Sequence, residues 1–143
     1  MTVKQSPVLI VMIEDDEGHA RLIEKNVRRA GVNNEIRHFA DGTSALAFLT
    51  SEHDGAHGPL LILLDLNLPD MTGIDILGIL KGHERLRRAP VVVLTTTDDK
   101  VEIQRCYDLG CNVYITKPVD YDTFATAIRQ LGLFLSVMQV PEA

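Results

Sequence analysis

Polar residues of a few types stand where apolar segments of the chain end. Three acidic residues at 14–16 follow one apolar run, and Asp65 ends another run, P-L-L-I-L-L. Three threonines at 95–97 and Lys117 follow two later apolar segments. Carboxylates bind Mg²⁺, an ammonium binds phosphate oxygens, and an aspartate can itself carry a phosphoryl group. These residue types predict phosphoryl transfer to a carboxylate, provided that the fold brings the segment ends together.

The segments that must position these residues alternate between strand and helix patterns. Helical patterns follow each strand, beginning at Glu17, after Asp41-Gly42, at Ile74, at Asp98 or Asp99, and near Tyr121. Five such alternations predict an α/β fold, a doubly wound five-stranded parallel sheet with helices on both faces. The carboxyl ends of parallel strands meet at one edge, where ligands bind. The predicted strands are 8–13, 35–39, 60–64, 90–94 and 112–115.

Several carboxylates at one sheet edge need a compensating positive charge. At an effective dielectric constant of 20, two like charges 4 Å apart repel by about 4 kcal/mol. Mg²⁺ (or Mn²⁺) is the predicted cofactor, because it prefers oxygen ligands and binds carboxylates together with phosphate. Lys117 supplies a second cation, suited to phosphate oxygens.

Length and composition limit the classes of protein that the sequence can encode. The 143 residues predict a single domain, and a formal net charge of −6 argues against a nucleic-acid partner. No apolar run approaches the length that crosses a membrane. Cys106 and Cys111 have no second pair with which to hold a metal, which favours a reduced, cytoplasmic protein.

The motifs at the segment ends resemble, in combination, the receiver domains of bacterial two-component response regulators. They are E-D-D at 14–16, D-L-N-L-P-D-M-T-G from Asp65, L-T-T-T at 94–97, and K-P after Tyr114. The resemblance covers residues 7 to 132 and implies the strand order 2-1-3-4-5. It also implies a cytoplasmic signalling protein that catalyses only its own phosphotransfer and dephosphorylation, and a cognate histidine kinase as partner.

The resemblance implies a role for each residue that matches the family's motifs. Asp65 is the expected phosphoacceptor, and Glu14 and Asp15 are the acids of the metal site. The Asn67 backbone carbonyl is a further expected metal ligand, and Lys117 is expected to pair with the phosphoryl oxygens. The hydroxyl of Thr95 and the aromatic ring of Tyr114 are expected to move on activation. Pro118 is expected to follow Lys117 through a cis peptide bond. None of the five histidines shows metal-ligand spacing, and none is given a role.

A narrower resemblance links the chain to single-domain receivers that partner phytochrome histidine kinases. The polar loop at 51–58, the L-T-T-T segment and the tail L-F-L-S-V-M-Q-V-P carry it. The tail is apolar beyond the stripe that would face its own domain, which predicts that 133–143 is a contact surface of a homodimer or partner. The residues assigned to this surface are Leu133, Phe134, Val137 and Val140.

Three alternatives remain open at the level of sequence. A phosphatase of the haloacid dehalogenase type would carry an acid two residues after Asp65, where this chain has Asn67. A flavodoxin-like cofactor binder would need a phosphate loop after the first strand, where this chain has three acids. A scaffold that keeps the fold without phosphorylation would not need Thr95 and Lys117.

Overall fold

Strands and helices alternate along the chain, as the sequence pattern predicts. A computed structural model describes residues 8–51, 58–96, 98–117, 120, 122–123, 125–127 and 129–130. The described residues between 122 and 130 are helical. The preceding elements are β1 (Leu9–Ile13), α1 (Glu17–Arg29), β2 (Ile36–Phe39), α2 (Gly42–Leu49), β3 (Leu60–Asp65), α3 (Gly73–Gly82), a 3₁₀ turn (Leu86–Arg88), β4 (Val91–Thr95), α4 (Lys100–Leu109) and β5 (Val113–Thr116).

Backbone pairing joins the strands into one parallel sheet with the order β2-β1-β3-β4-β5, which confirms the predicted fold. Both β3 and β4 run one residue further than the apolar pattern indicates. Asp65 is therefore the last residue of β3, paired with Leu94, and Thr95 is the last residue of β4, paired with Thr116. The sheet itself thus brings Asp65 and Thr95 to one edge.

The core lies on both faces of the sheet, because successive strand residues point in opposite directions. Ile10 and Met12 of β1 pack on the face that holds Ile23 and Val27 of α1. The intervening positions of β1 face a second cluster, which contains buried residues of α2, α3 and α4. Covering both faces explains why the central strands are apolar throughout.

The helices begin at side-chain caps and so have defined starting points. Asp16, Asp41, Thr72 and Asp99 accept hydrogen bonds from backbone N–H groups in the first turns of α1, α2, α3 and α4. Gly110 ends α4 with a φ of 107°, a left-handed conformation that favours glycine. The four N-terminal caps mark where the loops that follow β1, β2, β3 and β4 end at the carboxyl edge of the sheet.

Some sequence predictions fall outside the described residues. They are the cis bond at Pro118, the contact surface at Leu133, Phe134, Val137 and Val140, and the extension 133–143, all of which stay predictions. Within the residues that the structure describes, no helix is long and apolar enough to cross a membrane.

Candidate functional site

Three carboxylates meet at the carboxyl edge of the sheet. Oxygen atoms of Glu14, Asp15 and Asp65 all lie within 4.8 Å of one another. Glu14 and Asp65 are buried, whereas Asp15 is exposed. The sequence predicted that these carboxylates converge. Their close spacing suits a cation, and the exposed Asp15 leaves the cluster open to solvent on one side.

Backbone hydrogen bonds at the strand ends hold the site in place. The Glu14 N–H donates to the Phe39 carbonyl at 2.9 Å, which ties the end of β1 to β2. The Lys117 N–H donates to the Thr95 carbonyl at 2.6 Å, which ties the residue after β5 to the end of β4. The acidic residues and Lys117 are therefore positioned by the sheet itself, although they are distant in sequence.

Lys117 is the positive charge at the centre of this cluster. Its Nζ lies 2.5 Å from Glu14 Oε1 and 3.6 Å from Asp65 Oδ2. The lysine side chain is 5% exposed, and Glu14 is 1% exposed, so water screens this ion pair weakly. One ammonium offsets one of the three carboxylate charges, and two negative charges remain.

The electrostatics of Asp65 show this deficit of positive charge. Burial, and next the neighbouring Glu14 carboxylate, raise the pKa of Asp65 above its usual range. The Asn67 N–H, which donates to Asp65 Oδ1 at 3.2 Å, and the Lys117 ammonium oppose this rise in pKa without cancelling it. A divalent cation held by the carboxylate oxygens would remove the deficit, and oxygen ligands of this kind suit Mg²⁺ and Mn²⁺. The residues therefore fit the metal that the sequence predicts.

This pKa shift predicts that Asp65→Asn stabilises the metal-free protein. The folded protein keeps the Asp65 proton in a pH range where the unfolded chain has lost it, so the free energy of unfolding falls as pH rises through that range. Because asparagine does not titrate, we expect the variant to be more stable by about 1–3 kcal/mol at pH 8 and nearly equal to the wild type near pH 4. Urea unfolding in EDTA at both pH values measures this difference. A variant less stable than the wild type at pH 8 would contradict the prediction, and saturating Mg²⁺ should shrink the difference.

The loop after Asp65 is held by a close backbone approach. The Gly73 N–H donates to the Leu66 carbonyl at 2.9 Å, and a Cβ on Gly73 would lie 2.5 Å from both Asp65 O and Leu66 Cα. The Asp70 carboxylate accepts hydrogen bonds from the N–H groups of Gly42 (2.9 Å) and Thr43 (2.7 Å). The Thr43 hydroxyl also donates to Asp70; this hydrogen bond, and next those from the N–H groups, lower the pKa of Asp70 to about 2 and join the loop to the start of α2.

The two predicted switch residues lie on neighbouring strands. Thr95 is fully buried, and its Oγ1 lies 3.5 Å from the Asn67 side-chain nitrogen. Tyr114 is partly buried and packs against the core cluster that contains α4, and this burial raises the pKa of its hydroxyl. Thr95 thus lies within reach of the Asp65 loop, while Tyr114 is one strand further along the sheet.

Sequence reasoning missed two histidines that contact the site. His19 Nδ1 lies 3.1 Å from Lys117 Nζ, and His38 Nε2 lies 2.6 Å from the Glu14 carbonyl oxygen. A search for metal-ligand spacing could not find them, because His19 contacts an ammonium group and His38 contacts a backbone carbonyl rather than a metal. The useful signal for His19 was its place three residues after the Asp16 cap, in the turn that follows the acidic residues.

The fold and the site together define a receiver domain, and comparison with known proteins gives the same result. The chain belongs to the response regulator receiver domain family, whose pattern matches residues 10–129. It is thus a receiver domain of two-component response regulators, and several of its relatives are described as phytochrome or bacteriophytochrome response regulators.

Three relatives illustrate the similarity. A response regulator receiver domain from Rhodospirillum rubrum is 69% identical, with 94% of this chain and 98% of that chain covered and a TM-score of 0.77. Response regulator Rcp1 of Synechocystis is 37% identical over 96% of this chain and 95% of its own. The crystal structure of its Mn²⁺-bound form superposes with a TM-score of 0.73, at 32% identity over 90% and 94% of the two chains. The phosphorylated cyanobacterial phytochrome response regulator RcpA is 32% identical over 96% and 100% of the two chains, with a TM-score of 0.75.

Proposed function

We propose that Asp65 accepts a phosphoryl group from a histidine kinase and that the protein signals through the change that follows. The observation that carries the proposal is the cluster itself: a buried aspartate with a second acid, an exposed acid and a lysine around it. This set contains a nucleophile, ligands for a cation and a partner for phosphoryl oxygens.

In the proposed transfer, an Asp65 carboxylate oxygen attacks the phosphorus of the donor. A P–O bond to Asp65 forms, and the bond from phosphorus to the donor's leaving group breaks and leaves its electron pair with that group. The Lys117 ammonium, 3.6 Å from Asp65 Oδ2 before the reaction, is near enough to donate to a phosphoryl oxygen. Thr95 Oγ1 and the Asn67 side chain are further donors beside the same carboxylate loop.

The metal in this proposal is Mg²⁺, with Mn²⁺ as a substitute. Asp15 and Asp65 would hold it, together with the Asn67 backbone carbonyl, while Glu14 Oε1 accepts from Lys117 and Glu14 Oε2 accepts from the Asp16 N–H at 3.1 Å. When bound, the cation would neutralise the charge that accumulates on the phosphoryl oxygens. The Mn²⁺-bound form of the relative Rcp1 supports this choice of ion.

The proposed phosphoryl donor is a phytochrome histidine kinase. Several relatives bear the description of phytochrome or bacteriophytochrome response regulators, which supports this class of partner. The further proposals from sequence are a cytoplasmic protein without catalysis beyond its own phosphotransfer and dephosphorylation, and a homodimer formed through 133–143.

Labelling with acetyl phosphate tests the phosphoacceptor. We expect one phosphoryl group per chain by intact mass, dependent on Mg²⁺, with the wild type labelled and Asp65→Asn unlabelled. Asp75→Asn is the matched control, because Asp75 is an exposed acid at the start of α3 and should remain fully competent. The acyl phosphate should survive acid and be lost in base.

Two outcomes would contradict this proposal. Label that persists in Asp65→Asn would place the phosphoryl group on another residue. A folded wild type that binds Mg²⁺ but accepts no phosphoryl group, either from acetyl phosphate or from a phosphorylated phytochrome kinase, would favour the phosphorylation-independent scaffold.

A further inference from the structure

His19 is a polar side chain of the site that the proposed chemistry leaves without a role. It lies in the first turn of α1, where its backbone N–H donates to Asp16 Oδ1 at 2.9 Å. The imidazole is 43% exposed, so it borders solvent on one side and Lys117 on the other.

The contact between His19 and Lys117 has a defined direction. An ammonium has three donors and no acceptor, so at 3.1 Å the imidazole Nδ1 must accept a hydrogen bond from Lys117 Nζ. This contact requires the ring tautomer that has its lone pair on Nδ1 and its hydrogen on Nε2. One ammonium hydrogen is directed to Glu14 Oε1 and a second to His19 Nδ1.

The third ammonium hydrogen is not used by Glu14 or His19, and Asp65 is the next carboxylate near Lys117. The distance from Lys117 Nζ to Asp65 Oδ2 is 3.6 Å, longer than a hydrogen bond, so the resting carboxylate is not bound directly by the lysine. A phosphoryl oxygen on Asp65 could accept this third hydrogen.

We propose that His19 is a positioning residue for phosphoryl transfer: with Glu14, it orients the Lys117 ammonium so that the remaining N–H faces the phosphoryl group. The inference rests on the proposed function. A lysine side chain is flexible, so a single hydrogen bond to Glu14 would let the ammonium swing about that contact, whereas a second acceptor at His19 fixes its position. Without the His19 acceptor, the ammonium is free to turn onto the resting Asp65 carboxylate and reduce its nucleophilicity.

The first test compares two substitutions of His19 in the acetyl phosphate reaction with Mg²⁺. His19→Leu keeps volume but removes the acceptor, and we expect labelling about tenfold slower, the effect of one lost hydrogen bond to a charged group. His19→Asn places an acceptor oxygen on Cγ, where Nδ1 stands, and should restore the rate to within about twofold. A purely structural role would lower the melting temperature and leave the labelling rate unchanged.

The second test detects the hydrogen bond between His19 and Lys117 in the absence of a phosphoryl group. In ¹⁵N NMR of the unphosphorylated protein, the His19 ring should carry its hydrogen on Nε2, with the Nδ1 resonance displaced by the accepted hydrogen bond. Lys117→Met should remove that displacement.

The outcomes separate the two proposals. Three results would overturn the role of His19 alone. They are equal labelling rates in the wild type and His19→Leu, a labelling rate of His19→Asn well below that of the wild type, and a ring hydrogen on Nδ1. A wild type that accepts no phosphoryl group would overturn the proposed function, and the positioning role with it, even if the NMR contact were intact.

Discussion

Replacing Lys117 by methionine should destabilise the metal-free protein by about 3 kcal/mol at pH 8, since removing one partner of a buried ion pair leaves an uncompensated charge. The charge concerned is that of Glu14, which is 1% exposed and pairs with Lys117 Nζ at 2.5 Å. Methionine keeps most of the apolar part of the lysine side chain, so the lower free energy of unfolding reflects the missing charge rather than lost packing. Urea unfolding in EDTA measures the free energy of unfolding.

Two comparisons isolate the cause of this loss. Lys25→Met changes an exposed lysine of α1 and should alter stability by less than about 0.5 kcal/mol. Adding Glu14→Gln to Lys117→Met should recover most of the loss, because the buried charge is then gone. A double variant as unstable as the single one would show that the ion pair is not the cause.

Gly73→Ala should cost about 3 kcal/mol or more, because the added Cβ has no room and its neighbours cannot move cheaply. The Cβ would lie 2.5 Å from Asp65 O and 2.5 Å from Leu66 Cα, both of them backbone atoms of the strand end that carries the proposed phosphoacceptor. Relief of this contact must displace either β3 or the start of α3. We therefore expect weaker Mg²⁺ binding as well as lower stability, measured by calorimetric titration and urea unfolding.

Gly78→Ala is the matched control in the same helix. A Cβ at Gly78 meets nothing within 4 Å, and alanine favours the helix, so this variant should gain about 0.5–1 kcal/mol. Mg²⁺ binding should be unchanged. If both glycine variants gave the same change in stability, the close approach at Gly73 would not be the reason for its presence.

Patterns in the amino-acid sequence predict the fold and place most of the candidate site residues at one edge of the sheet. Short apolar runs that alternate with helical patterns indicate parallel strands covered on both faces, and the helices between them place all carboxyl ends at one edge. Asp65, Thr95 and Lys117 follow such runs directly, so their convergence needs only the topology. Helix starts were also readable, since Asp16 and Asp99 are short polar residues suited to capping.

The pairing of charges across that edge depends on tertiary packing and could not be predicted from the sequence. The sequence predicted Glu14 as an acid of the metal site, and the structure adds that its carboxylate pairs with Lys117, which is 103 positions away along the chain. The contact of His19 with Lys117 and the steric demand at Gly73 depend on distances of a few ångströms between separate elements. Periodicity and motif spacing place a residue at an edge of the sheet, whereas hydrogen-bond pairing depends on side-chain direction and burial, which only the packed chain determines.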